Sequence, residues 1–131
     1  MKAIDTNVLV RFLVNDDPVQ AEQVRQLFAT AEQSRDAFYI PLLVLLETIW
    51  VLQSAYQVKR ADLIETLAEL LLMPVLRFEQ REAVQAMLDA AATTNLELPD
   101  ALIAQSAVQM GCDGILTFDQ KAARGPAFVV L

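Results

Sequence analysis

The sequence predicts an α/β fold: a three-layer α/β/α open parallel sheet of about five short strands, spanning residues 1–131 as a single domain. Three observations lead there. Short β-branched and aromatic runs alternate with longer stretches whose apolar residues recur at helical spacing. Strands separated by helices favour right-handed crossovers, parallel pairing and helical cover on both faces of the sheet. A chain of 131 residues has the usual length of one domain, and no repeat or linker-like segment interrupts it.

Each element has a local reason. Lys2–Thr6 reads as a first strand ending at an acid, and Asn7–Leu13 is mostly apolar up to the turn Asn15-Asp16-Asp17-Pro18. Pro18 suits the first position of a helix capped by Asp17, because its fixed φ is helical and its missing N–H would be unsatisfied there anyway. Ala21, Val24, Leu27 and Phe28 then share one helical face. Ala37–Ile40 is a second strand, and Pro41 opens a helix to about Ser54. From Lys59 to Met73 another helix aligns Leu63, Leu67, Leu70 and Leu71 until Pro74 stops it. Val75–Phe78 is a third strand, and Arg81–Thr93 is helical by the spacing of Val84, Met87, Leu88 and Ala91. A helix from about Pro99 to Met110 ends at Gly111, with strands expected at Ile115–Phe118 and Ala127–Val130.

Composition narrows the chemistry. Apolar residues form 55% of the chain, above the usual ~45–50%, which excludes a disordered polypeptide. The apolar stretches Ile40–Leu46 and Leu70–Leu76 fall far short of the ~20 residues of a membrane span, and Asp5 stands where a secretory signal would be apolar. A cytoplasmic protein is expected. With no histidine there is no Ser-His-Asp triad, Cys-His dyad or His general base. The single cysteine, Cys112, excludes an internal disulfide and a Cys/His zinc site, and is expected to be a small buried packing residue.

Four carboxylates stand in apolar surroundings, where an unpaired charge is costly. Asp5 and Asp119 lie at the carboxyl ends of the expected first and fourth strands, the side of an open sheet where ligands collect. Both also suit turns and caps. Glu47 has only apolar neighbours at three and four residues (Leu43, Val44, Trp50 and Val51), so it is expected to point inward or into a cleft. An inward Glu paired with an arginine would look the same. Asp100 sits in the first turn of its helix, which an acid favours for electrostatic reasons alone. Glu97 is three residues earlier.

If the first and fourth strands are neighbours, all four acids converge, and four anions in one cleft repel unless a cation intervenes. Their hard oxygen donors suit Mg²⁺ or Mn²⁺ over zinc or copper. One or two such ions lower the pKa of a bound water and stabilise charge on a phosphodiester in an in-line displacement, which needs no protein nucleophile. Thr6, Asn7 and Thr117 are candidates for holding the ligand carboxylates or metal waters in place, and each equally suits an ordinary turn.

These residues form motifs that resemble a known family. Ile4-Asp5-Thr6-Asn7-Val8-Leu9-Val10 looks like the opening motif of PIN domains, as found in VapC-type toxins of toxin–antitoxin pairs. Leu46-Glu47-Thr48-Ile49-Trp50-Val51-Leu52, Leu98-Pro99-Asp100-Ala101-Leu102-Ile103-Ala104 and Leu116-Thr117-Phe118-Asp119 are similar to the second, third and fourth motifs, in order along essentially the whole chain. The resemblance implies a metal-dependent endoribonuclease with Asp5, Glu47, Asp100 and Asp119 as catalytic, metal-binding quartet. It implies Asp5 and Asp100 as principal ligands and Glu97 as an outer acid where many relatives carry Asp. It further implies an RNA substrate, a homodimer, and a small antitoxin that blocks the site.

Other folds fit less well. A haloacid-dehalogenase-like phosphatase would place a second Asp two positions after the first, and that residue is Asn7. A receiver domain would pair acids after the first strand, and a nucleotide-binding fold would carry a Gly-rich loop. The alternative from a different class is a catalytically silent PIN-fold domain that binds proteins through its apolar helix surface. A formal charge of −7 disfavours broad nucleic-acid binding, so RNA would be attracted locally, by metal and some of Arg11, Arg77, Arg81, Lys121 and Arg124.

Overall fold

In the computed structural model, which describes residues 1–124 and 127–131, the chain forms two compact units, Met1–Glu79 and Gln80–Leu131. Of the five basic residues above, Arg124 has its side chain outside the described part.

The first unit holds β1 (Lys2–Ala3), α1 (Thr6–Leu13), α2 (Pro18–Gln33), β2 (Phe38–Ile40), α3 (Leu42–Ser54), α4 (Arg60–Leu71) and β3 (Leu76–Phe78). Its strands pair in parallel in the order β1-β2-β3, with Lys2 opposite Phe38 and Phe38 opposite Leu76. Each parallel step is bridged by two helices, as a chain reversing direction between parallel strands requires. Leu9, Ile40, Leu45, Ile49, Leu52, Leu63 and Leu67 are fully buried in this unit. Phe28 stacks at tilted angles between Phe12 and Phe38, with centroids 4.8 and 5.7 Å away, tying α1, α2 and β2 together.

Caps explain where helices begin. Asp17 accepts a hydrogen bond from the Gln20 N–H at 3.1 Å, with Pro18 at the first helical position, as its sequence predicts. The first strand is shorter than expected because Asp5 also serves as a cap. Its Oδ1 accepts from the Thr6 N–H at 2.8 Å, and α1 starts there. Pro41 has no side chain to cap α3; Glu79, from beyond β3, accepts the Leu42 N–H at 2.9 Å instead. Such a cap has no local sequence signature.

The second unit holds α5 (Arg81–Ala91), α6 (Leu98–Gln109), β4 (Ile115–Thr117), a short 3₁₀ turn at Ala122–Arg124 and β5 (Phe128–Val130). Helices α5 and α6 pack on each other. Strands β4 and β5 pair in parallel, Ile115 opposite Phe128 and Thr117 opposite Val130. Ala104, Ala122 and Phe128 form a small core under Leu96 and Ile115. The five expected strands are thus all present, paired in parallel within ladders of three and two. No described helix is long and apolar enough to cross a membrane.

Cys112 departs from expectation: it is exposed, not buried. Gly111, at φ +87°, ends α6 in the left-handed region, and the reversal carries Cys112 out of the packed layer before β4 begins.

Candidate active site

In the first unit, Asp5 and Glu47 line a cleft of about 260 Å³ together with Thr6, Asn7, Arg11 and Tyr56. Asp5 is positioned by its cap at the start of α1, and Glu47 by the second turn of α3. Glu47 is exposed, so of the two expected placements, inward or at a cleft, it is not drawn inward but lines the cleft. Of its apolar neighbours, Leu43 and Trp50 are themselves in solvent, 79% and 63% exposed, while Val44 and Val51 are half-buried. The face of α3 that carries Glu47 is an exposed apolar stripe; the face that is buried carries Leu45, Thr48, Ile49 and Leu52.

Thr6 is buried at the same cleft, and its Oγ1 has no hydrogen-bond partner among the described residues. An unsatisfied buried hydroxyl costs about 1–3 kcal/mol, so it is a group with capacity for a ligand or a water. Asn7, next along α1, is exposed and lines the cleft as well.

The sequence gives no warning of the polar cluster beside these acids. Arg11 Nε donates to Gln20 Oε1 at 2.7 Å, and its Nη1 lies 3.4 Å from Asp16 Oδ1 and 3.5 Å from the Tyr56 hydroxyl. Tyr56 donates to Asp16 Oδ2 at 2.7 Å. Its hydroxyl is the main reason the Asp16 carboxyl titrates below the ordinary value; Arg11 adds to this, and partial desolvation opposes it. The Asp-Asp-Pro turn reads only as a helix start, and Tyr56 is 40 residues away in sequence.

In the second unit, Asp100 and Asp119 line a cavity of about 490 Å³ with Glu97 and Lys121. Asp100 is in the first turn of α6, half-buried. Desolvation raises its pKa first, and the negative charges of Asp119 and Glu97 raise it further, against a lowering contribution from Lys121. Asp119 follows β4; its N–H is held by Thr117 Oγ1 at 2.9 Å, and its Oδ1 accepts the Lys121 N–H at 2.9 Å. Glu97 has a loose pairing with Lys121 at 3.7 Å, both side chains largely in solvent.

The acids therefore come together two and two, one pair in each unit. Among the described residues no group of three or more His, Cys, Asp or Glu side chains is arranged to hold a metal ion. Within each pair the chemistry suits a hard divalent cation: the donors are carboxylate oxygens, Thr6 offers a hydroxyl without a partner among the described residues, and Asp100 is desolvated beside the negative charges of Asp119 and Glu97.

Two comparisons bear on this arrangement. The family model for the PIN domain matches residues 2–127. A curated VapC ribonuclease of Aquifex aeolicus (strain VF5) is 23% identical to this chain over 121 residues, covering 92% of this chain and 89% of its own length.

Proposed function

The chain belongs to the PIN domain family, a three-layer α/β/α fold, and from that premise we propose that it is a Mg²⁺- or Mn²⁺-dependent endoribonuclease. In this reading it is the toxin of a type II toxin–antitoxin pair, a cytoplasmic homodimer whose site is blocked by a small cognate antitoxin. The relative named a VapC ribonuclease supports the RNA substrate. The observation that carries the reading is the pairing of the four motif acids, Asp5 with Glu47 and Asp100 with Asp119, around clefts within a chain of this family.

Asp5 and Glu47 in the first unit, and Asp100 and Asp119 in the second, would be the metal-binding carboxylates, with Thr6 and Asn7 supporting the first pair and Glu97 and Thr117 the second. When bound, a divalent cation supplies Lewis acidity and charge neutralisation toward a phosphodiester and the water that attacks it. The chain's own residues do the rest. The Thr6 and Lys121 N–H groups each occupy one oxygen lobe of Asp5 and Asp119, fixing those carboxylates before any ligand arrives. Thr117 orients the backbone that carries Asp119. Asp100 would gain from a cation, since its surroundings oppose its ionised form.

The deciding experiment is cleavage of mixed cellular RNA by purified protein with Mn²⁺, beside Asp100→Asn, with product ends determined. Cleavage by the wild type alone, with 5′-phosphate and 3′-hydroxyl ends, is expected. Cyclic phosphate ends or equal activity in the variant would refute the mechanism. Absence of cleavage together with absence of divalent-ion binding would leave the silent interaction domain as the reading.

A further inference from the structure

The cavity of about 490 Å³ in the second unit is lined by more than its acids, and its size lies within the ~300–1,000 Å³ of small-ligand pockets. Besides Asp100 and Asp119, it is lined by the segment Thr93–Leu96 that joins α5 to α6. Each surface there has a distinct chemistry. Leu96 and Ala122 give an apolar floor, anchored because Leu96 packs on the buried Ala104, Ala122 and Phe128. Asn95 is exposed on the wall and offers both an amide donor and a carbonyl acceptor. Thr93 donates its hydroxyl proton to the Ala90 carbonyl at 3.3 Å, so toward the cavity its oxygen is an acceptor. Lys121, 74% exposed and only loosely paired with Glu97, brings positive charge to an otherwise anionic lining.

An apolar surface, a bifunctional amide, a hydroxyl acceptor and one exposed ammonium correspond to the parts of a single ribonucleotide: base face, base edge, ribose hydroxyl and phosphate. We infer that this cavity is the subsite for one nucleotide flanking the scissile bond, with Asn95 reading the base edge and Lys121 neutralising the adjacent phosphate. The inference rests on the nuclease reading above and adds to it a place where base preference is set. Amide side chains discriminate base edges by paired hydrogen bonds, whereas a lysine on phosphate contributes without regard to sequence. The two residues therefore have separable signatures.

The experiment has two arms. In the first, the four ribonucleoside 5′-monophosphates are titrated into the full-length wild-type protein in EDTA and followed by amide chemical shifts. The expected result is shifts concentrated at Thr93–Leu96 and Lys121, weaker in Lys121→Ala. In the second, cleavage positions in an RNA pool are mapped for wild type, Asn95→Leu and Lys121→Ala, each confirmed folded by thermal melting. Asn95→Leu is expected to alter preference about tenfold at one base beside the cut. Lys121→Ala is expected to weaken all sites alike and to reduce the salt dependence of binding by about one unit of slope. Shifts confined to other surfaces, or unchanged preference in Asn95→Leu, would overturn the subsite. If wild type does not cleave RNA, the nuclease reading fails by itself, and the nucleotide titration alone decides whether the cavity binds a nucleotide.

Discussion

At the scale of single residues, two carboxylates report their surroundings in opposite directions. Asp16 is held below the ordinary Asp range chiefly by the Tyr56 hydroxyl. A lowered folded pKa contributes stability that is present above the unfolded value, ~3.9, and lost as pH falls through the folded value. Tyr56→Phe should therefore move the Asp16 carboxyl titration upward, as followed by carbon NMR. Asp100 behaves in the reverse sense. Its pKa is raised by desolvation and by Asp119 and Glu97, so its contribution is complete below the unfolded value and is lost as pH rises through the folded one. In metal-free buffer, urea denaturation should find Asp100→Asn more stable than wild type at pH 7, with the difference closing below about pH 4. Equal stabilities at both pH values would remove Asp119 and Glu97 as a source of strain. Asp100 is legible in the sequence because it sits in a distinctive apolar motif, whereas Asp16 stands in a polar turn that reads only as a helix start. Environments are not legible: which of burial or a cleft Glu47 takes is not written in its neighbours, and the contact that fixes Asp16 comes from 40 residues away.

At the scale of elements, the helices are the legible part. Pro18 with Asp17, Pro74 and Gly111 mark boundaries by local rules, and the helices they bound lie where the apolar periodicity puts them. The faces are harder. Helix α3 is apolar nearly all round, so periodicity does not say which side is core. Packing chose the Leu45, Ile49 and Leu52 side and left Leu43 and Trp50 in water. Ile49→Ala should cost about 2–5 kcal/mol, because Ile49 is fully buried and the cavity left cannot fill with solvent. Leu43→Ala should stay within about 0.5 kcal/mol. Urea unfolding of both variants checks this, and a large cost at Leu43 would mean that the exposed stripe is covered in solution. The strands are legible as runs but not as burial patterns: Leu116 is 70% exposed on β4 although its sequence reads as core.

At the scale of the whole molecule, a net charge of −7 sets the terms on which the chain meets a polyanion. General attraction to RNA is disfavoured, and binding depends on local cations. A ligand that binds only the native state stabilises it by mass action. Mg²⁺ or Mn²⁺ should therefore raise the melting temperature in proportion to the logarithm of its concentration above the dissociation constant, and Asp5→Asn should reduce that rise. A wild-type melt indifferent to both ions would sink the metal site, whatever the activity assays give.

The sequence by itself determined the α/β class, the helix limits, the parallel strands and the four motif acids that mark the PIN family. All of these rest on short-range rules: spacing, capping and turn chemistry act over a few residues and are written in consecutive letters. Tertiary structure alone decided which face of α3 is core, that Glu79 caps it from beyond β3, that strands pair as three and two, and that Cys112 and Glu47 meet solvent. It also decided that Arg11, Asp16 and Tyr56 meet, and that Asp100 and the Thr93–Leu96 segment line one cavity. Burial and long-range hydrogen bonds depend on which surfaces pack together, and that competition is settled among residues far apart in the chain.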